Sequence, residues 1–505
     1  MQNYYEYLQE YSKLNRTAIF DANGKISFKE LKLLVDKMIA FLQHNGVKSG
    51  DNVAFIMSNC KEFMILYFAI TSMRAVAVPI NTMLKKDEYS YIIKDCNAKL
   101  LIISDGIPEA IALKDTYSDI LIMHSFDMEV KDGYLSSYLK FAPVYNYESK
   151  ACINDNVHII YTSGTTGLPK GVLLSYKNIL SNINSIRRDF NVNSKDRAIA
   201  YLPMFHSFTL TAVCLLLLLS GCSLVIERSV LPFSNVIKQI LFKRVTILFS
   251  VPVILNALMK AKLPWYFMWF HKIRIIVSGS SALSETTLRY YKDKFKRTSV
   301  LEGYGLSECS PVVSVNRIDK QKVNSVGLPL YGYQVKIVDD DLKEVAAGET
   351  GELIVKGDCV MQGYYNKPEL TSESIEGDWL KTGDIARVDD DGFIYIVDRK
   401  KDIIISKGIN IYPREIEDVI LTLEEVETCA VIGAKDEELD ESVVAYVCLK
   451  EGKKLLAKDI QKHVRSCLAN YKVPKTIYFR DELPKNAAGK VLKKELKKEL
   501  NVGKN

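Results

Sequence analysis

Thr162, Ser163, Gly164, Thr165, Thr166, Gly167 and Lys170 put four hydroxyls, two glycines and one cation into a single short stretch. Glycines let a backbone turn its amides toward an anion, while hydroxyls and an ammonium add further donors. Such a loop can grip a polyphosphate. It is not the common nucleotide loop, which ends in Gly-Lys-Ser/Thr and opens a helix. Here Pro169 precedes the lysine, and Gly171-Val172-Leu173-Leu174-Ser175 reads as a strand. The apolar run Val157-His158-Ile159-Ile160-Tyr161 leads in, so the loop is expected to join two strands. A plain Gly/Thr hairpin turn is the other reading of the same residues.

Four more blocks follow in order: Gly303-Tyr304-Gly305-Leu306-Ser307-Glu308, Lys381-Thr382-Gly383-Asp384, Asp398-Arg399-Lys400-Lys401-Asp402, and Pro484-Lys485-Asn486-Ala487-Ala488-Gly489-Lys490. With the first loop, they resemble the adenylate-forming superfamily of acyl-CoA synthetases, peptide-synthetase adenylation domains and luciferases. The resemblance runs from about Thr17 to Leu496, nearly the whole chain.

The resemblance implies a two-step reaction. A carboxylate attacks the α-phosphate of ATP, giving an acyl-adenylate and pyrophosphate, and a thiol then displaces AMP. The first step brings an anion to a polyanion and needs cations and backbone donors aimed at the reacting phosphorus. Lys490 matches the family's lysine between substrate carboxylate and α-phosphate. Glu308 reads as a Mg²⁺ ligand, with Thr165 or Thr166 beside it, because a bare carboxylate near phosphates is repulsive. Tyr304 is expected to offer its ring to adenine, with Gly303 and Gly305 around it, and Ser307 to reach the α-phosphate. Asp384 resembles the carboxylate that accepts both ribose hydroxyls, and Arg399 adds a ribose contact. Lys401 occupies the hinge position, about which a small domain swings so that a second face near Gly408 admits pantetheine. Each has a plainer reading: a solvent-facing lysine, a core tyrosine in a turn, an Asp capping a turn.

For the acid, Leu202-Pro203-Met204-Phe205-His206-Ser207-Phe208 opens the acyl-site region. Amino-acid-activating relatives place an aspartate near this segment to hold the substrate ammonium. None is present here; Asp189 and Asp196 come too early. His206 resembles the residue flanking the bound acid and the thiol tunnel. Gly279, Ser280, Ser281 and Cys309 supply small linings. An apolar slot gains about 0.8 kcal/mol per buried methylene, so the expected substrate is a medium- or long-chain fatty acid. The expected acceptor is coenzyme A, with an acyl-carrier protein as the alternative. A non-catalytic relative and a luciferase-like oxidative use are the remaining readings.

The elements that must position these residues alternate in type. Ser27-Phe28-Lys29-Glu30 is a capping box opening a helix. The strand Asn52–Met57, a helix over Glu62–Met73 and a strand over Ala75–Pro79 give a βαβ rhythm. That rhythm continues to about residue 323. Short strands separated by Asp/Gly turns follow over about 324–398, and a compact α+β segment from 399 to 505. The expected fold class is therefore α/β: a large N-terminal domain (1–398) of layered α/β subdomains plus a β-rich subdomain, and a small mobile C-terminal α+β domain (399–505) with its hinge near Lys401.

The 505 residues, 48% hydrophobic and 25% charged, fit a globular chain of more than one domain. A net charge of +6 suits anionic ligands but does not indicate nucleic acid. Ten cysteines without paired spacing read as free thiols of a reducing, cytoplasmic compartment. No signal peptide is expected, and the apolar runs Phe63–Ile80 and Thr211–Ile226 read as buried helix-then-strand units rather than membrane spans. The aromatic run Trp265-Tyr266-Phe267-Met268-Trp269-Phe270 reads first as a buried helix. A fatty-acid entrance and a peripheral membrane contact are the other readings.

Overall fold

The computed structural model describes all residues except 23, 105, 118–120, 124–140, 145–146, 164–167, 262, 264, 282, 407–408, 437–439, 486–489 and 503–505. The chain divides into two compact units: Met1–Gln334 with Val355–Leu380, and Val335–Ile354 with Lys381–Asn505. Val335–Ile354 and the strand ending at Arg399 thus group with the C-terminal residues.

Two sheets form the first unit. One has nine strands, and six are mutually parallel: Ser299–Gly305, Ile275–Ser278, Ile247–Ser250, Arg197–Ala200, Ser223–Ile226 and Thr17–Asp21, in that spatial order. From Arg197–Ala200 the chain moves first to one side, Ser223–Ile226, and then to the other, Ile247–Ser250. Strand order therefore reverses between Arg197–Ala200 and Ile247–Ser250. Ligands in open parallel sheets bind beyond the carboxyl ends at such a reversal. Tyr201–Phe208, Val251, Gly279 and Tyr304–Glu308 all emerge at those ends or close to them.

The other sheet runs Gly363–Tyr364, Pro169–Ser175, Asn156–Ser163, Val76–Pro79, Asn52–Ile56, Leu100–Ser104, Leu121–Met123. Asn156–Ser163 and Pro169–Ser175 are antiparallel neighbours paired from Asn156↔Ser175 to Ser163↔Pro169. The Gly/Thr loop thus closes a hairpin, as its apolar flanks predict. The βαβ unit is also present: Asn52–Ile56, helix Lys61–Ser72, then the parallel strand Val76–Pro79. Helix Phe28–His44 opens with the expected capping box, Ser27 accepting from the Glu30 amide and Glu30 from the Ser27 amide. Such caps contribute about 1 kcal/mol. Thr211–Ile226 is a buried helical segment followed by the strand Ser223–Ile226.

Gln334–Val338, Gly351–Lys356, Trp379–Val388 and Ile394–Arg399, whose residues fall mostly in the second unit, belong to a five-stranded sheet. A further sheet carries Ile409–Ile411, Ile404–Ser406, Asp440–Leu449, Val426–Asp436 and Thr476–Phe479. Helices Pro413–Ile420 and Ala457–Cys467 cover one face through Ile416, Ile420, Ile460 and Val464. Leu496 of helix Lys493–Val502 packs on the opposite-facing residues Ala430, Ile432, Val444 and Tyr446. The hairpin Val426–Asp436/Asp440–Leu449 is much longer than its short apolar cores suggest, because Glu441, Ser442 and Lys435 continue the ladder without adding hydrophobic signal. All ten cysteines are free thiols. Among the described residues, no helix is long and apolar enough to cross a membrane.

Candidate active site

In the first unit, the strand residues before and after the Gly/Thr loop are fixed from several sides. The Tyr161 hydroxyl donates to Asp95 at 2.6 Å, and Asp95 also pairs with Lys367 at 3.1 Å. The loop's Gly164, Thr165, Thr166 and Gly167 lie outside the described residues. Thr162 and Ser163 end the incoming strand, and Lys170 sits on the outgoing one.

Lys170 leads to a residue that the motifs do not contain. Its ammonium donates to the Tyr364 hydroxyl and lies 3.8 Å from the centroid of that ring. The Tyr364 hydroxyl in turn donates to Glu308 Oε1 at 2.9 Å, while Lys170 Nζ stands 3.5 Å from the same oxygen. Burial, then the Glu308 charge, pushes the Tyr364 phenol well above its ordinary value, so it stays a protonated donor. Tyr364 is carried there by a stitched segment. Asn178 donates to the carbonyls of Asp358 and Val360, both at 2.8 Å. The Met361 amide donates to the Glu308 carbonyl at 2.9 Å. In the sequence, Gly363-Tyr364-Tyr365 offers no cue beyond an aromatic with a hydroxyl.

The Gly303–Glu308 block folds as the end of the strand Ser299–Gly305 followed by one short helical turn, Ser307–Cys309. Gly305 is required by space: a Cβ there would stand 2.0 Å from the Pro311 carbonyl oxygen. Tyr304 is half-buried and pairs with Ser314 across the strand. Ser307 exchanges a 2.9 Å hydrogen bond with Ser207, which is buried in the acyl-site segment. Next to it His206 is half-buried, and desolvation lowers its pKa, favouring the neutral ring. Phe208 lies 3.6 Å from the position of a Gly279 Cβ, and the Gly303 carbonyl 3.9 Å from it. Three segments distant in sequence therefore meet at Gly279. Ser280 and Ser281 are exposed beside it. Cys309 is fully enclosed, its thiol raised by burial and by Cys359, so it backs this wall from within the core.

The second unit brings together its own set. Asp384 and Arg399 are cross-strand partners joined by a 3.1 Å ion pair, with Asp384 buried. The Gly383 amide donates to Glu352, which also accepts from Lys400 at 3.1 Å. Lys400 reaches Asp340 as well, so the turn bearing exposed Lys401 is tied to the sheet by its neighbour. An antiparallel bridge Lys485↔Val491 and the Leu492 amide on the Pro484 carbonyl hold the base of the turn ending in Lys490. Residues Asn486 to Gly489 lie outside the described set. Lys490 keeps solvent access, yet protein crowding and then Arg399 push its ammonium down to about 8, against the pull of Asp384 and Asp402. Asp384, Arg399 and Lys490 thus share one electrostatic neighbourhood. Gly408 lies outside the described residues.

Glu308 suits a hard divalent cation. Magnesium usually takes one or two carboxylates and completes its shell with water and substrate phosphates. Glu308 could hold such a cation together with substrate oxygens; no group of three or more metal-ligating side chains occurs among the described residues.

Residues 8–365 match the AMP-binding enzyme family, and 415–490 the AMP-binding enzyme C-terminal domain. The chain belongs to the AMP-binding enzyme family. It is similar to a long-chain-fatty-acid–CoA ligase of Bacillus subtilis (strain 168), 35% identical over 96% of this chain and 92% of the relative. Among solved structures it resembles ATP-bound MatB from Rhodopseudomonas palustris, with TM-score 0.90 and 28% identity over 98% and 99% of the two chains. It also resembles the o-succinylbenzoate CoA synthetase MenE of Bacillus subtilis in complex with ATP and magnesium, with TM-score 0.86 and 27% identity over 98% and 99%. The expected α/β architecture and adenylate-forming assignment are borne out.

Proposed function

We propose that this chain is an AMP-forming acyl-CoA synthetase acting on a medium- or long-chain fatty acid, with ATP, Mg²⁺ and coenzyme A. The observation that carries the choice of acid is the junction at Gly279. There the Phe208 side chain, Gly279 and the Gly303 carbonyl meet, and the acyl-site segment Leu202–Phe208 brings no carboxylate. An apolar chain gains about 0.8 kcal/mol per methylene in such surroundings, whereas a substrate ammonium would lack a counter-charge. The similarity to a fatty-acid–CoA ligase supports the same reading.

In this reading the Gly/Thr loop, with Lys170, holds the pyrophosphate end of ATP. Tyr304 flanks adenine and Ser307 contacts the α-phosphate. Asp384 accepts from the ribose hydroxyls, and Arg399 pairs with that carboxylate. Magnesium, held by Glu308 with Thr166, would neutralise phosphate charge as the acid approaches. Tyr364 and Lys170 orient Glu308. Lys490 gives its positive charge to the incoming carboxylate and the α-phosphate oxygens, lowering the repulsion between them. The carboxylate oxygen forms a bond to phosphorus as the bond to pyrophosphate breaks. In the second half-reaction the thiol, after losing its proton, attacks the acyl carbon and AMP leaves. His206 flanks that carbon, and Lys401 and Gly408 belong to the hinge and thiol face.

The test is a screen of acids of increasing chain length against purified protein with ATP, magnesium and CoA, read as thioester formed. The expected result is kcat/KM rising with aliphatic length beyond short acids. A preference for aromatic or dicarboxylic acids would overturn the fatty-acid assignment. An exclusive preference for an acyl-carrier protein over CoA would overturn the acceptor.

A further inference from the structure

The run Trp265–Phe270 does not pack as the buried helix its composition suggests. It forms a turn and then the short helix Phe267–Phe270, in which Phe267 alone is buried, at 2% exposure. Trp265, Trp269 and Phe270 are 79%, 70% and 63% exposed, and Tyr266 is also exposed, its ring against that of Trp265. The reason is length: one helical turn gives Phe267 and, in part, Met268 to the core, and leaves Trp269 and Phe270 exposed. Phe267 and Met268 pack on the cluster that also seats Val236 and Ile240 of helix Phe233–Phe242 and Leu255 of helix Pro252–Lys260. Those helices add exposed Phe242 and Val253.

Along this segment the charge has one sign. From Arg228 to Ser284 the sequence contains no Asp or Glu, while Arg228, Lys238, Lys243, Arg244, Lys260, Lys262 and Lys272 carry positive charge; Arg274, also in the segment, is paired with Asp196 at 2.8 Å. Lys238, Lys260 and Lys272 are exposed, on or next to the same three helices. Exposed tryptophans and phenylalanine flanked by lysines are the composition of a surface that lies in a bilayer interface. Lysines near an anionic headgroup layer add attraction that fades within a Debye length.

We propose that Trp265, Tyr266, Trp269 and Phe270, with the lysines around them, dock the protein on the surface of a bilayer containing anionic lipid. Aromatic side chains enter the interface and the lysine ammoniums meet headgroup phosphates. The docking stands apart from the acid specificity proposed above and is tested without turnover.

The chain has three tryptophans, two of them on this surface and the third, Trp379, elsewhere. Trp379→Phe full-length protein therefore makes tryptophan emission a direct reporter of the patch. With vesicles of phosphatidylcholine and phosphatidylglycerol in equal parts, the expected result is a blue shift and co-sedimentation at low salt, both weakened by added salt. The double variant Trp265→Ser/Trp269→Ser is expected to need roughly tenfold more lipid to sediment. Because both side chains are exposed, its unfolding midpoint and ATP binding should not change. Lys260→Glu/Lys272→Glu is expected to bind the mixed vesicles more weakly and leave emission without vesicles unchanged. Absence of shift and sedimentation, equal binding to pure phosphatidylcholine, or undiminished binding of the tryptophan variant would each overturn the proposal. So would a lipid-free dimer in sedimentation velocity that the tryptophan variant dissolves, because the patch would then join two copies of this chain.

Discussion

Tyr364 shows how a site residue can lie outside every motif. Its hydroxyl accepts from Lys170 and donates to Glu308, so one phenol joins the phosphate-loop strand to the proposed metal carboxylate. Tyr364→Phe keeps the ring under Lys170 and removes only that bridge. Adenylation is expected to fall roughly tenfold, with a higher magnesium requirement, the usual effect of removing an outer-shell partner. Unchanged magnesium dependence would contradict the assignment. Asp384→Ala should raise the KM for ATP and leave Arg399 without this partner; an unchanged KM would remove Asp384 from the nucleotide. Lys490 carries a pH signature. Burial and then Arg399 push its ammonium down to about 8, so the charged fraction falls as pH rises through that value. The kcat/KM of adenylation, which reports free enzyme, is expected to lose activity on a basic limb near pH 8. Lys490→Arg, always charged, should move that limb away. Lys170, Lys401 and Lys490 stand out in the sequence by their motifs, whereas Tyr364 does not, because a tyrosine after a glycine reads the same in a core as in a site.

At the scale of elements, what was legible is what periodicity and turn chemistry encode. The capping box, the βαβ unit and the hairpin around the Gly/Thr loop follow directly from residue types. The length of the hairpin Val426–Asp436/Asp440–Leu449 did not, since its distal ladder is polar. Nor did the exposure of Trp265 and Trp269, because composition does not reveal that the helix stops after one turn. Gly305 tests the element that presents Glu308. With the Pro311 carbonyl 2.0 Å from any added Cβ, Gly305→Ala must displace backbone. The expected cost is about 2 kcal/mol or more in stability, together with loss of nucleotide affinity, read by denaturant unfolding and ATP titration. A variant as stable and as tight as the parent would show that the strand–turn junction is not rigid.

Over the whole molecule, the boundary expected from composition and the division by compactness describe different things. The sequence places the boundary at the charged turn Asp398–Asp402, whereas the second compact unit takes in Val335–Ile354 and everything from Lys381. A hinge at Lys401 is a proposal about motion, and the half-reactions test it separately. Lys490→Ala should abolish adenylate formation yet spare thioester formation from preformed acyl-adenylate, measured in single turnover. Equal loss of both would refute two separate roles. The most direct measurement of the central claim is exchange of labelled pyrophosphate into ATP, with magnesium, by the purified full chain. Exchange should depend on a carboxylic acid, strengthen with aliphatic length, and vanish in Lys490→Ala. Absence of exchange with every acid offered would contradict the account.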